Sequence, residues 1–156
     1  MINLLELTAS ELLMLHNAIN EELRRRNILR SANGPTGDLA EHLFCVAFGW
    51  LLERNSAKAY DATDTVTGVR YQIKGRRIHS RNKSRQLSAI RDLSGFDMLA
   101  AILFAEDYSI MRAALIPASV VQDNSAYIQH TNSNRFFLRD KIWNEPGVID
   151  VTDRLR

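Results

Sequence analysis

The stretch that decides the reading of this chain runs from Tyr60 to Arg77, YDATDTVTGVRYQIKGRR. Val69, Tyr71 and Ile73 alternate in it with Arg70, Gln72 and Lys74. A strand repeats every two residues, so one set faces a core and the other faces away. The stretch predicts two short strands, about Lys58 to Thr63 and Gly68 to Arg77, joined by DTVT. Gln72 and Lys74 then share a face, and the neighbouring strand can bring Asp61 up beside them.

The flanking sequence predicts what this pair of strands sits among. Thr8 and Glu11 have the spacing of a capping box, in which each side chain serves a free N–H of the other. Leu12, Leu15, Ile19 and Leu23 follow at helical spacing, so a helix is expected to about Ile28. Its end, EELRRRNILR, sets cations where the helix dipole favours them. SANGPTG breaks it. A second helix is expected from about Asp38 to Glu53, capped by Thr36 or Asp38, with Leu39, Leu43, Ala47, Trp50 and Leu51 as its apolar stripe. Glu41 lies near its start, where an acid is also stabilised by the dipole alone.

Beyond Arg77 comes a basic loop or irregular helix, RRIHSRNKSRQLSAIRDLSG. DMLAAILFAED and YSIMRAALIP read as two further strands turning at Asp107. The first is almost continuously apolar, as a strand covered on both faces must be. ASVVQDN reads as a short helix, and the tail as a strand near Phe136 with a helical turn around Asp140. VIDVT fits more than one element.

With 156 residues the chain is expected to form one domain, with 1–35 as an N-terminal helical extension and 36–156 as the core. Its 46% hydrophobic and 24% charged residues are an ordinary globular balance. No apolar run has the length of a membrane span. MINLLELTASELL lacks a basic leader and a small-residue cleavage site. The single cysteine, Cys45, lies in the apolar LFCVAFGW and reads as a small core residue. A cytoplasmic protein with no membrane partner is the expectation.

The net charge of +2 hides an asymmetry. Lys74, Arg76, Arg77, Arg81, Lys83, Arg85 and Arg91 fall in one acid-free segment, which leaves 13 of the 20 basic residues to face all 18 acidic ones elsewhere. A positive block on an acidic body points to a polyanion such as nucleic acid. A solvated loop is the plainer alternative.

The chemistry open to Asp61, Gln72 and Lys74 is specific. A carboxylate, an amide oxygen and the Ile73 backbone carbonyl are hard oxygen donors, suited to a partly hydrated Mg²⁺ that shares a substrate phosphate. Such an ion acidifies water and neutralises a phosphodiester. Lys74 can orient that water and stabilise the developing anion. Other chemistries lack their residues. His16, His42, His79 and His130 have no metal-ligand spacing. GPTGDLAE lacks the lysine of a phosphate loop. Ser94 and Ser119 have no nucleophile elbow around them.

From Gly37 to Pro117 the chain resembles the PD-(D/E)XK nuclease superfamily, the restriction-endonuclease-like fold. GDLAEHLF resembles its first core helix, AYDATD the strand with its acidic metal ligand, and YQIKGR its (D/E)-x-K strand, in the family's order. The resemblance implies an α/β fold, a mixed central β-sheet flanked by helices, and Mg²⁺- or Mn²⁺-dependent DNA cleavage, with restriction or defence as the expected setting. It implies Asp61 as main metal ligand, Gln72 and the Ile73 carbonyl as further ligands, Lys74 as catalytic lysine, and Glu41 as auxiliary ligand. Asp64 is a rival for the Asp61 role. Arg76, Arg77, His79, Arg81, Lys83 and Arg85 would hold DNA, and a homodimer would bring two sites to a duplex. Gln72 departs from the usual acid: it keeps an oxygen and loses a charge. That leaves a non-catalytic nucleic-acid-binding or interaction module as the alternative.

Overall fold

A computed structural model describes residues 1–31, 34–54 and 59–156. The chain forms α1 (Ala9–Arg25), α2 (Pro35–Phe48), β1 (Leu51–Leu52), β2 (Ala62–Thr63), β3 (Arg70–Arg77), β4 (Met98–Phe104), β5 (Ile110–Pro117), α3 (Ala118–Asp123), β6 (Ala126–Ile128), β7 (Ser133–Arg135), β8 (Ile149–Asp150) and α4 (Thr152–Leu155). Six strands make one mixed sheet in the order β1-β2-β3-β4-β5-β8. Only β3 and β4 run parallel; the other neighbours are antiparallel. Strands β6 and β7 form a separate hairpin. Among the described residues no helix is long and apolar enough to cross a membrane.

Side-chain alternation splits the core into two layers. Ala100, Ile102 and Phe104 of β4 join Tyr71 and Ile73 of β3 under α2, with Phe44 and Trp50. Leu99, Ala101 and Leu103 face the other way, onto Leu87, Phe96, Phe136 and Leu138. Strand β4 is thus covered on both sides, which is why DMLAAILF is nearly all apolar. On the first side Trp50 stacks on Tyr71 at 3.6 Å between ring centroids, and on Phe48 at 4.9 Å.

Several boundaries differ from the sequence reading, each for a local reason. Helix α1 ends at Arg25 rather than Ile28, because the Ile28 and Leu29 N–H groups turn back onto the Leu23 carbonyl. Helix α2 begins at Pro35, a residue whose missing N–H costs nothing in a first turn. Neither Thr36 nor Asp38 caps it; Gly34 holds that position without a side-chain bond. It stops at Phe48 because Gly49 takes a left-handed φ of 69°. Trp50 and Leu51 therefore lie outside the helix, Trp50 buried and Leu51 exposed in β1. Strand β2 begins only at Ala62, since residues 59–61 are not strand, and Lys58, the expected start, lies outside the described residues.

The capping box of α1 forms as read, with the Glu11 N–H donating to Thr8 Oγ1 and the Thr8 N–H to Glu11 Oε2. Its apolar stripe is only partly covered, with Leu15 and Leu23 half-buried. No residue of α1 is buried, and Leu12, Leu13, Met14 and Ile19 are exposed. The basic segment after β3 is not helical, and it is pinned to the domain. Leu87 and Ile90 are buried, and their N–H groups donate to the Phe136 and Asn134 carbonyls.

Candidate active site

The site follows from a gap at the edge of the sheet. Strand β2 pairs with β3 only as far as Ala62 opposite Tyr71. Ile73, two residues further along, presents an N–H to that edge with no strand partner. The Asp61 carboxylate fills the gap: its Oδ2 accepts the Ile73 N–H at 2.7 Å. The same oxygen accepts the Gln72 amide Nε2–H at 2.7 Å. A strand residue sends its C=O out on the same edge as its N–H, so the Ile73 carbonyl leaves β3 beside Asp61.

Lys74 is half-buried, not on the open polar face that strand alternation predicts. The basic segment covers that face, and Lys74 Nζ donates to the Ala89 carbonyl at 3.4 Å. Burial pushes its ammonium below the usual lysine range, and the charges of Asp61 and Glu41 oppose that fall. Glu41 approaches from α2. Burial and then the Asp61 charge push its carboxyl upward, and Arg30 opposes them. Burial likewise raises Asp61, against the Ile73 N–H, Lys74 and Arg30. Two acids and two bases thus meet within electrostatic reach of one another.

Arg30 is the member that the sequence does not reveal. Its Nη2 donates to Glu41 Oε2. The turn that carries it is held by Asp38, whose Oδ2 accepts the Arg30 N–H at 2.8 Å, the Ser31 N–H at 2.9 Å and the Ser31 hydroxyl at 3.1 Å. In NILRSA, Arg30 reads as one more cation after a helix, and only the tertiary fold takes it to Glu41. Gly75 is the other residue passed over. A Cβ there would stand 3.0 Å from Ala40 Cβ and 3.2 Å from the Thr36 carbonyl, so α2 lies this close only against a glycine.

Asp64 sits apart. Its carboxylate accepts the Val66 N–H at 2.9 Å and the Thr67 N–H at 3.2 Å, tying the turn before β3. Cys45 is half-buried, and burial pushes its thiol up to about 11, with Glu41 adding to the rise. That is the opposite of the environment that activates a cysteine nucleophile.

The basic residues divide into two groups. Arg76 Nε donates to the Ser84 carbonyl at 3.0 Å and Arg77 Nε to the Glu106 carbonyl at 2.8 Å. Arg85 pairs with Asp140 at 2.7 Å. These three shape the segment from within. Arg81, Lys83 and Arg91 are exposed and make no side-chain hydrogen bond or ion pair among the described residues. His79 exchanges backbone hydrogen bonds with Asn82. A cleft of about 370 Å³ runs along Gly75, Arg76, Ser84 and Ala89, and one of about 400 Å³ lies between Thr36, Arg77, His79 and Tyr108. A larger cleft, about 760 Å³, lies at the far edge by Arg112, Asp150 and Arg154 and contains none of the expected site residues.

The Asp61 and Glu41 carboxylates and the Ile73 carbonyl are hard oxygens of the kind a divalent cation takes, whereas Gln72 turns its Nε2–H, not its oxygen, to Asp61. Among the described residues no three His, Cys, Asp or Glu side chains group as a metal site. A cation here would need the Ile73 carbonyl, water, a substrate phosphate and a Gln72 amide turned to present its oxygen to complete its shell. Compared with known proteins, the chain matches no family model and no curated protein sequence.

Proposed function

We propose that this chain is a small metal-dependent endonuclease acting on DNA, with the restriction-endonuclease-like core and PD-(D/E)XK chemistry that its residues resemble. One observation carries the reading: Asp61, 11 and 12 residues from its partners in sequence, meets both Gln72 and the Ile73 N–H at the open edge of β3, with Glu41 and Lys74 in electrostatic reach. A structural sheet edge needs no such gathering of charge, and carboxyls raised beside a depressed lysine are the kind of perturbation that clusters at functional sites. A helix leading into an antiparallel meander and then a parallel strand agrees with the proposed core.

Asp61, Glu41, the Gln72 amide oxygen and the Ile73 carbonyl would hold Mg²⁺ or Mn²⁺, which when bound neutralises phosphate charge and acidifies water. Lys74 orients the attacking water and stabilises charge on the phosphate oxygens. Water forms one P–O bond, the bond to the leaving sugar oxygen breaks, and a proton passes from the water to that oxygen. Arg81, Lys83 and Arg91 are free to contact the flanking phosphates, so affinity falls with salt.

A second reading has an observation of its own. Gln72 donates to Asp61 and Arg30 neutralises Glu41, so the site is balanced without a cation. A nucleic-acid-binding module would keep such a site. The two readings separate in chelator. Cleavage that needs Mg²⁺ or Mn²⁺ supports the nuclease, and DNA binding that is unchanged by chelator, with no cutting in metal, supports the module.

A further inference from the structure

Arg30 occupies the position of an internal cation. Glu41 and Asp61 are half-buried carboxylates close enough for each to feel the other, and like charges in such a place need a counter-charge. Arg30 supplies it through the hydrogen bond to Glu41 Oε2. An arginine leaves a carboxylate by moving its side chain, not by giving up its charge.

The backbone around Arg30 is held by packing and hydrogen bonds, while its side chain reaches Glu41 from the solvent side. Leu29 is buried on one side, and the Asp38 carboxylate, in a residue 8% exposed, clamps the Arg30 and Ser31 N–H groups on the other. The Arg30 side chain keeps 36% of its surface in solvent, against 19% for Glu41. Arg30 can therefore swing into water while Glu41 stays in the site. A buried carboxylate committed to one short turn has a clear consequence: it delivers this side chain to that glutamate.

We propose that Arg30 is a displaceable counter-ion that competes with the divalent cation for Glu41 and so sets the metal affinity of the site. The proposal rests on the metal-dependent reading above. Arg30 is a positioning residue in this account: it holds Glu41 in place while no cation is bound, and releases it when one arrives. The amide at position 72 acts in the same sense, since it gives Asp61 a donor that a glutamate could not give without a proton. Together they offset the repulsion between the two carboxylates when no cation is bound.

The test is calorimetric titration of Mn²⁺ into the wild-type protein and Arg30→Gln, without DNA, beside NMR titration of the Glu41 carboxyl in the metal-free proteins. Arg30→Gln keeps the backbone N–H that Asp38 accepts, so the turn should hold, and circular dichroism checks that it does. Removing one competing charge should tighten Mn²⁺ on the order of tenfold, and should raise the Glu41 pKa further. Wild-type binding of Mn²⁺ with equal or weaker affinity in Arg30→Gln would overturn the counter-ion role and leave the metal-dependent reading standing. Failure of both proteins to bind Mn²⁺ would overturn the two together.

Discussion

At the scale of single residues, Asp61 and Gln72 carry opposite obligations. Asp61 Oδ2 takes hydrogen bonds from an amide and a backbone N–H, which stabilises its charge in the absence of metal. Gln72→Glu would add the acid usual in the resembled family and remove one of those donors. The variant should bind Mn²⁺ more tightly than wild type. Its metal-free form should lose about 1–3 kcal/mol from the broken bond and the added repulsion, or roughly 2–4 °C of Tm per kcal/mol. Calorimetry with and without Mn²⁺ measures both signs, and a metal-free Tm at or above wild type would show that the Gln72–Asp61 bond is unimportant.

The titrating groups give a pH prediction of the same kind. Burial raises the Asp61 and Glu41 carboxyls and lowers the Lys74 ammonium. A carboxyl raised on folding favours the fold in its protonated form, and that contribution is lost as pH rises through its folded value. Ionised carboxylates are what a cation needs. The kcat/KM profile should therefore fall off on the acid side at a higher pH than ordinary carboxyls would give. On the alkaline side it should fall at a lower pH than an ordinary lysine would give. A flat profile across both limbs would remove these three groups from the reaction.

At the scale of elements, the packing of α2 on β3 sets where Glu41 stands. Gly75 makes that approach possible, since a Cβ would press on Ala40, the Thr36 carbonyl and the Phe104 ring at 3.0, 3.2 and 3.3 Å. Gly75→Ala should cost about 1–3 kcal/mol by overpacking. It should also reduce cleavage more than a remote substitution of equal cost, because it moves the helix that bears Glu41. Thermal melts beside activity assays test this, and wild-type stability in the variant would contradict the close contact.

Elements with a strong period were legible in the sequence. The alternation in VRYQIK gave β3 and the faces of Gln72 and Lys74, and the unbroken apolar run gave β4 its place between two layers. Elements limited by a single backbone residue were not. Gly49 ends α2 ahead of Trp50, although the apolar spacing continues through it. The same limit applies to the site. Asp61 and Gln72 meet because adjacent strands bring them together, which periodicity can anticipate. Arg30 reaches Glu41 through a turn clamped by Asp38, and nothing in the spacing of NILRSANGPTGD encodes that bond. In the basic block, Arg76, Arg77 and Arg85 make bonds within the domain, and a run of cations does not encode which of its members do so.

At the scale of the whole molecule, the sheet separates a packed body from a charged edge. Both apolar layers close over β4, while the acids and bases gather where β2 stops and β3 continues. The measurement that tests this account most directly is cleavage of plasmid DNA in Mg²⁺ or Mn²⁺ by wild type, Asp61→Ala and Lys74→Ala, each checked for its fold. Truncating Lys74 removes a half-buried cation whose one hydrogen bond among the described residues is a long one to the Ala89 carbonyl, so the fold should survive it. The account predicts cutting by wild type that stops in chelator, and a loss of at least about a hundredfold in each variant, the scale on which single electrostatic groups act in catalysis. Full activity in a folded Lys74→Ala protein, or no metal-dependent cutting by wild type, would contradict it.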